Sequence, residues 1–593
     1  MADSPRPVPV SFSEFEPVTT AQWQQRLSRD LKGADLASLQ WHTADGLTIE
    51  PFYHREALEV LGGPPAPLLH TSPESWRNVP TYQVPAKENG HAAIDRAAAA
   101  ITLGATGAHF ALADALSFDV DYLHQQLPLH ATYVGYTVHQ NPSELVQRLL
   151  VTGTPSLLGF LSCDPITNHA PDLSLQLISL RKAIALTQPH PGFHALSLNG
   201  AYFANRGGTI TQQLGFLLAA AAAYLSELPS ALLSVADVAA AMQVQVGLNP
   251  SYFPEIAKLR ALRRLWATLL HAYGVPAQIA ESLPIFAATS NWSQTTLDAH
   301  TNLLRVTTET MAAVLGGADA VSVTPFDSIF HEPNEFSERL ARNLPILLRE
   351  EAFLGRVADP AAGSYYLETL TDKLASEAWS LFQKVEAEGG LPAAASMVAL
   401  ELHGAAQAQF HRIATGEQVV VGTNRFQNPQ EKFDFNPKKL LRSKNFDTTR
   451  ATYPTEVLRL ATALHFERRE KKNKRAAVVL LGPGTNQLIL ESFLRTLPDQ
   501  ERTEIDAAHP AGTLSVLFSS PEEVTLMYAT PTQFRELARV VYRVEPSDDT
   551  FVPPTLLTGD LATMQEGVRL YGFQEFTVQG YSTEDVLARL QGR

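Results

Sequence analysis

The feature that most constrains the fold is an alternation, from about residue 98, of short apolar or β-branched runs with helical segments. Eight runs predict strands: AAITLG (99–104), ATYVGYT (131–137), SLLGFLS (156–162), HALSLNG (194–200), VQVGLN (244–249), PIFAATS (284–290), AVSVTP (320–325) and GSYYLE (363–368). The spacing predicts helices over 143–151, 173–185, 209–225, 252–273, 294–315 and 335–353. Eight strand and helix units in succession indicate an α/β protein with a (β/α)8 TIM barrel.

The predicted helix at 252–273 shows how the pattern indicates packing. Its apolar residues recur at intervals of three and four, which places one apolar stripe against a core. The stripe consists of Phe253, Ile256, Leu259, Leu262, Trp266 and Leu269. Pro254 suits the first turn of a helix, and Glu255 complements the positive N-terminal end of the helix dipole.

The length of the chain predicts more than one domain, because a single core stops growing near roughly 250 to 300 residues. Residues 1–90 are interpreted as an N-terminal arm, with a short helix in TAQWQQRLSRDLKG followed by Pro-rich coil. Residues 91–415 form the predicted barrel, and 416–474 a polar linker that ends in the basic cluster RREKKNKR. Residues 475–593 restart with RAAVVLL and indicate a small α/β domain with an open sheet.

Composition excludes several functions. A formal net charge of −15 disfavours nucleic acid and anionic membranes as partners. The single cysteine, Cys163, excludes an internal disulfide framework and a thiolate zinc site, and packing as a small apolar residue is its expected role. The N-terminus shows no secretory signal, and the longest apolar stretch, 214–225, is shorter than the roughly 20 residues of a membrane span. We expect a soluble, cytoplasmic protein.

Candidate catalytic positions of a barrel lie at the C-terminal ends of its strands. These ends supply polar residues but no evident acid and base pair. They are Asn199, Asn249, Thr289, Ser290, Asn291 and Asp327.

Two histidines have the spacing of a helical metal site but not its context. His190 and His194 are separated by four positions, yet Pro191 and Gly192 between them are incompatible with a helix. In the C-terminal domain, GPGTNQ (482–487) follows a strand as a dinucleotide fingerprint does, but Gln487 replaces the third glycine. Neither motif predicts a site.

Several segments resemble the methylmalonyl-CoA mutase family over nearly the whole barrel. They are YFPEIAKLRALRRLWATL, TSNWS, HTNLLRVTTETMAAVLGGADAVSV, RLARNLPILLREEAFLGRVADPAAGSYYLETLTDKLASEAW and FQKVEAEGG. The arm (LKGADLASLQWHTADGLTIEPFY) and the closing GDLATMQEGVRLYGFQEFTVQGYSTEDVLARLQ are similar to the small subunit of heterodimeric bacterial members. The resemblance covers roughly residues 20–415 and, less closely, 475–593.

The resemblance implies a cofactor that this chain does not bind itself. Family members interconvert branched and linear acyl-CoA by a radical rearrangement that begins at the cobalt–carbon bond of adenosylcobalamin. Their catalytic chains hold it through a D-x-H-x-x-G loop, where this chain reads LLGPGTNQ. The stretch 506–512 contains H-x-x-G, but its Asp lies one residue too far upstream, so His509 is not expected to ligate cobalt. The C-terminal domain is therefore interpreted as a degenerate cobalamin-binding-like domain without a metal.

Three barrel positions also depart from the family pattern. GAYFANRG places Tyr202 where catalytic chains carry a histidine that assists the acyl carbonyl, and a phenol with a pKa near 10 is a poor substitute. Pro284 stands in place of an arginine, and Asp319 in place of a substrate-contacting glutamine. These are degenerate equivalents, and no catalytic residue is expected in this chain.

The resemblance therefore implies the small, non-catalytic subunit of an adenosylcobalamin-dependent methylmalonyl-CoA mutase, an isomerase. The cofactor and the acyl-CoA are expected on a large catalytic subunit, which the N-terminal arm would wrap. Two alternatives stay open: an independent barrel enzyme that acts on another acyl-CoA through Tyr202 and Asp319, and an assembly or protective partner of a cobalamin enzyme.

Overall fold

The computed structural model describes residues 16, 18–63, 76–151, 156–414, 417–426, 450–453 and 456, and the backbone of five strands within 477–579. Across these described residues, no helix has the length and apolar character needed to cross a membrane.

The strands are numbered in chain order. They are β1 (Trp41–His42), β2 (Thr48–Ile49), β3 (Arg77–Asn78), β4 (Thr81–Val84), β5 (Gly107–Leu112), β6 (Tyr133–Thr137), β7 (Gly159–Ser162), β8 (Phe193–His194), β9 (Leu196–Asn199), β10 (Met242–Leu248), β11 (Ile285–Thr289), β12 (Ala320–Ser322), β13 (Ala477–Leu480), β14 (Leu514–Ser519), β15 (Glu523–Ala529), β16 (Leu556–Leu557) and β17 (Gln574–Gln579).

The α-helices are numbered in the same way. They are α1 (Thr20–Asp30), α2 (Arg55–Val60), α3 (His91–Thr102), α4 (Val120–Gln126), α5 (Pro142–Val151), α6 (Leu173–Thr187), α7 (Ala201–Ala204), α8 (Ile210–Glu227), α9 (Val235–Ala240), α10 (Tyr252–Ala272), α11 (Ala277–Ala280), α12 (Thr301–Leu315), α13 (Glu335–Glu350), α14 (Tyr365–Ala387) and α15 (Ala395–Ala414).

Two parallel five-stranded sheets carry the fold. Their strand orders are β3-β12-β11-β10-β9 and β4-β5-β6-β7-β8. β3 and β4 are separated by only two residues, and β8 and β9 by one, so the edge strands of one sheet continue into those of the other. Followed from strand to strand, the two sheets thus pass through eight strand positions and return to the segment of β3 and β4. We call this arrangement the strand ring.

The segment 77–84 closes the strand ring because it is hydrogen bonded on both sides. The Val79 N–H donates to the carbonyl of Val321 at 2.9 Å, and the carbonyl of Pro80 accepts from the N–H of His109 at 2.9 Å. Helices follow the strands and cover the outside of the ring. β10 is buried along its whole length, as expected for a parallel strand with both faces covered.

Two of the eight predicted strands are wrong. AAITLG lies mostly in α3, where Ala93, Ala97 and Ala100 recur at helical spacing and are buried. GSYYLE forms the start of α14, with Ser364 as its N-cap. Alanine favours helices, and a short apolar run does not by itself distinguish a buried strand from a helix turn.

The strands that take these two positions in the ring lie earlier in the chain. They are the segment 77–84 and β5, and the first of these lies within the predicted arm of residues 1–90. The ring therefore begins before the predicted boundary at residue 91. The arm also contributes to the main apolar core, in which Leu47, Ile49 and Trp76 are buried.

Parts of the predicted linker, 416–474, are packed rather than solvated. Thr423, Asn424, Arg450 and Glu456 are buried. Glu456 accepts a hydrogen bond at 2.7 Å from the hydroxyl of Thr296, in the loop that follows β11. The basic cluster at 468–475 lies outside the described residues.

The C-terminal strands differ in direction from the prediction. They form one sheet in the order β16-β13-β14-β15-β17, and every pair is antiparallel, whereas an open sheet of the predicted type is mostly parallel. Three residues join β14 to β15, and a parallel pair needs a crossover of a dozen or more. The helices predicted between these strands lie outside the described residues.

The predicted stripe on α10 is confirmed with one exception. Five of its six apolar residues are buried, and Phe253 is 47% exposed. The polar side of α10 is also buried, because Arg260 binds Asp359 at 3.0 Å and Glu368 at 2.7 Å. These ion pairs attach the loop before α14 to α10.

Replacing Arg260 with methionine is expected to lower the free energy of unfolding by about 3 to 5 kcal/mol, because Asp359 loses this ion pair and Glu368 loses one of its two arginines, keeping Arg264 at 2.9 Å. Urea unfolding followed by circular dichroism measures the change. Arg55 and Glu59 form a surface pair in which the Arg55 side chain is 82% exposed, so Arg55→Met serves as the control and should cost less than about 1 kcal/mol. Equal losses in the two variants would contradict a buried ion network.

Candidate functional site

The C-terminal ends of the ring strands gather the polar residues that the sequence singled out. Asn199 and Thr289 end β9 and β11, and Asn249 follows β10, which lies between those two strands. Ser290 donates a hydrogen bond from its hydroxyl to the Asn205 side-chain oxygen at 2.7 Å. These polar residues thus lie at one end of the parallel strands. We call this end the mouth.

Below the mouth the interior of the ring is filled by aromatic side chains. Phe160 on β7 and Phe286 on β11 meet across the interior with ring centroids 5.0 Å apart. They are 0% and 3% exposed, and Val79 and Ala320 complete the cluster. Because these residues come from separate strands, their contact fills this part of the interior with side chains.

A neutral histidine network lies beside these rings. His109 on β5 bonds the Thr81 hydroxyl through Nδ1 at 3.1 Å and the Thr137 hydroxyl through Nε2 at 2.8 Å. Thr81 in turn bonds Ser322 at 2.8 Å. Burial lowers the pKa of His109 to about 4, so the imidazole is neutral at pH 7 and serves the packing of four strands.

Tyr202 lies in α7, directly after β9 and therefore at the mouth. Its backbone N–H donates to the Asn199 side-chain oxygen at 3.1 Å. The guanidinium of Arg206 lies 3.5 Å from the centroid of its ring. The ring of Tyr202 is therefore covered on one face by a cation from its own loop.

Asp164 is a residue of this end that sequence reasoning missed. It follows β7 and is buried, and its carboxylate accepts from the hydroxyl of Tyr224 at 2.7 Å and from the N–H of Asn199 at 2.8 Å. Burial raises its pKa, while these hydrogen bonds oppose that rise. Asp164 thus joins the loops after β7 and β9 and positions Asn199, which holds Tyr202. The only sequence signal was an acidic residue directly after a strand.

Pro284 and Asp319 lie at the opposite end of the strand ring. Each directly precedes its strand, β11 and β12 respectively, so both are at N-terminal strand ends. The Asp319 carboxylate accepts from Arg263 at 3.1 Å and from the N–H of Ile285 at 2.8 Å. The structure therefore does not bring these two residues together with Tyr202. Asp319 joins α10 to β11.

The other candidate groups form no site in the part of the chain that the structure describes. Cys163 is buried, and burial raises the pKa of its thiol to about 12, which confirms a small apolar packing residue. His190 precedes β8 and His194 lies in it, so they form no helical pair. Across the described ranges no cluster of His, Cys, Asp and Glu is suited to a metal ion. The motif 482–487 and His509 lie outside these ranges.

These features define an α/β protein built on parallel strands whose interior is closed by aromatic packing and whose mouth is held by structural hydrogen bonds. Residues 167–460 match the family described as methylmalonyl-CoA mutase. The chain is 32% identical over 515 residues to the methylmalonyl-CoA mutase small subunit of Porphyromonas gingivalis, covering 80% of each chain. The chain belongs to the methylmalonyl-CoA mutase family.

Two further relatives are similar over shorter spans. The methylmalonyl-CoA mutase small subunit of Streptomyces virginiae is 32% identical over 409 residues, which is 64% of this chain and 66% of that protein. The methylmalonyl-CoA mutase of Escherichia coli is 29% identical over 464 residues, which is 69% of this chain and 64% of that protein.

The lowered pKa of His109 predicts acid sensitivity. The folded chain keeps the imidazole neutral, while the unfolded chain protonates near pH 6.5, so stability is lost as the pH falls from about 6.5 towards 4. Between pH 7 and 4.5 the wild-type chain should lose about 2.5 kcal/mol more unfolding free energy than His109→Gln. Urea unfolding at the two pH values measures this difference. His403→Gln, at an exposed position, should behave like the wild type, and identical pH profiles for His109→Gln and wild type would refute the prediction.

Proposed function

We propose that this chain is the small, non-catalytic subunit of a heterodimeric methylmalonyl-CoA mutase and that its strand ring is a (β/α)8 barrel of the mutase type. Its partner is a large catalytic subunit, and the pair interconverts methylmalonyl-CoA and succinyl-CoA. The identity to a protein named as a small subunit, over 80% of both chains, supports this assignment.

The observation that carries the non-catalytic role is that polar and aromatic side chains of the mouth are bound to other groups of this chain. Below them the interior is packed with side chains, among them the rings of Phe160 and Phe286. At the mouth, the ring of Tyr202 is covered by Arg206, and the Asp164 carboxylate is bonded by protein donors. The Tyr202 ring and the Asp164 carboxylate are thus both engaged in contacts within this chain.

Adenosylcobalamin belongs, in this proposal, to the large subunit. When bound there it supplies the radical that starts the rearrangement. The described residues of this chain do not fit the group, since the interior below the mouth is filled and Asn199 and Asn249 are not cobalt ligands. This chain contributes folded surface to the pair, with the arm against the large subunit.

The independent-enzyme alternative loses its basis in the structure. It required Tyr202 and Asp319 to act on one acyl-CoA, and these residues lie at opposite ends of the strand ring. The protective-partner alternative differs from the proposal only in its effect on turnover, so a rate measurement separates the two.

Co-expression with a large-subunit chain of the same family tests the proposal. The purified pair should have the mass of one copy of each chain and convert methylmalonyl-CoA with adenosylcobalamin present. This chain alone should bind no cobalamin and show no turnover. Cobalamin binding or turnover by the isolated chain would refute the non-catalytic role. A pair whose large subunit works equally well without this chain would favour the protective partner.

The variant Tyr202→Phe tests the non-catalytic role within the pair, because it removes only a hydroxyl at the mouth. We expect kcat and KM to stay within about twofold of the unchanged pair, because the lost group makes no contact with the substrate. A tenfold fall in kcat with unchanged assembly would show that Tyr202 takes part in catalysis.

A further inference from the structure

A cleft separate from the mouth lies between the arm and the start of α14. It is an open depression of about 560 Å³, lined on one side by residues 49–53 and on the other by 363–366. We call it the aromatic cleft. It is assembled only when the arm docks, because each segment supplies one wall.

Four aromatic side chains dominate its lining: Phe52, Tyr53, Tyr365 and Tyr366. Tyr53 and Tyr366 face each other across the walls with centroids 5.6 Å apart. Phe52 is 44% exposed and Tyr365 is 39% exposed, so both rings are accessible to a second molecule. Phe52 is stacked on Trp23 at 4.7 Å and on His54 at 5.6 Å.

The charged side chain among the described residues that line the aromatic cleft is a carboxylate, while the Lys373 ammonium donates to the carbonyl of Thr48 beside the lining segment. Glu50 lines the cleft, and one of its carboxylate oxygens accepts a hydrogen bond from the Gln40 amide at 3.0 Å. None of the described residues that line the cleft is a lysine or arginine.

The N-terminus of α14 alone would favour an anion, but two acceptor side chains of this protein already lie there. The Ser364 hydroxyl caps the N–H of Leu367, and the Glu368 carboxylate accepts from the N–H of Gly363 at 3.0 Å.

Aromatic faces and a carboxylate in one cleft recognise a cation. We propose that the aromatic cleft binds the guanidinium of an arginine side chain presented by a partner polypeptide. A guanidinium stacks flat on an aromatic ring while it donates to a carboxylate, and a lysine ammonium does not combine these contacts as well. Arginine is also common at the centres of protein interfaces. The identity of the partner as the large subunit rests on the proposed function, while the chemistry of the cleft does not.

Saturation-transfer NMR titration of the full chain with Nα-acetyl-L-arginine methylamide tests the cleft. The neutral probe Nα-acetyl-L-citrulline methylamide has nearly the same shape and isolates the effect of the charge. Arginine should bind at least about fivefold more tightly than citrulline, as expected for a cation at an aromatic site. Equal binding of the two probes, or binding of inorganic phosphate that displaces the arginine probe, would overturn the proposal.

Two variants locate the binding. Glu50→Gln and Tyr365→Ala should each weaken arginine binding about fivefold, and circular dichroism spectra check that both remain folded. Glu59→Gln, at an exposed carboxylate on the same arm, should leave the affinity unchanged. Unchanged affinity in both cleft variants would place the arginine elsewhere and refute the assignment.

In the reconstituted pair, Glu50→Gln should weaken association with the large subunit about fivefold in calorimetric titration, and Glu59→Gln should not. The pair could be active while Glu50→Gln leaves its affinity unchanged and the two probes bind equally. That outcome would refute arginine binding at the aromatic cleft and leave the proposed function intact. A chain that binds arginine selectively but supports no mutase activity refutes the function and leaves the cleft intact.

Discussion

The hydrogen bonding of segment 77–84 on both of its edges is the constraint on which the rest of the structure depends. Val79 donates to the last parallel strand, and the carbonyl of Pro80 accepts from β5, so the two sheets share this segment. A closed set of parallel strands has no unpaired edge and one interior, which its side chains must fill. The helices, the mouth and the aromatic contact of Phe160 with Phe286 all take their positions from that closure.

The packing of the interior and of the mouth underlies the role that we propose for the chain. Two phenylalanines and a neutral histidine pack across the interior. At the mouth, the Asp164 carboxylate accepts hydrogen bonds that connect the loops after β7 and β9. The polar groups at the mouth stabilise the fold, and the arm forms an aromatic surface at Phe52.

Helices and buried side chains could be predicted from the sequence where a residue pattern is compatible with only one secondary structure. The spacing on α10 predicted which side chains are buried, and the helices at 143–151, 173–185 and 209–225 lie close to their predicted bounds. The sequence prediction failed at AAITLG and GSYYLE, where short apolar runs fit a helix turn as well as a strand. It also missed 77–84, where Pro80 interrupts the strand, and Phe253, which helical spacing placed in the core although it is half exposed.

The sequence alone determined that this is an α/β chain of the methylmalonyl-CoA mutase family, and it predicts that Tyr202 stands where catalytic members carry a histidine. Only the tertiary structure decided that Pro284 and Asp319 lie at the far end of the strands from Tyr202, and that Asp164 and His109 hold the loops and the interior. The physical reason is that spacing along the chain fixes local periodicity and side-chain type. Which end of a strand meets which loop is set by pairings between residues far apart in the chain.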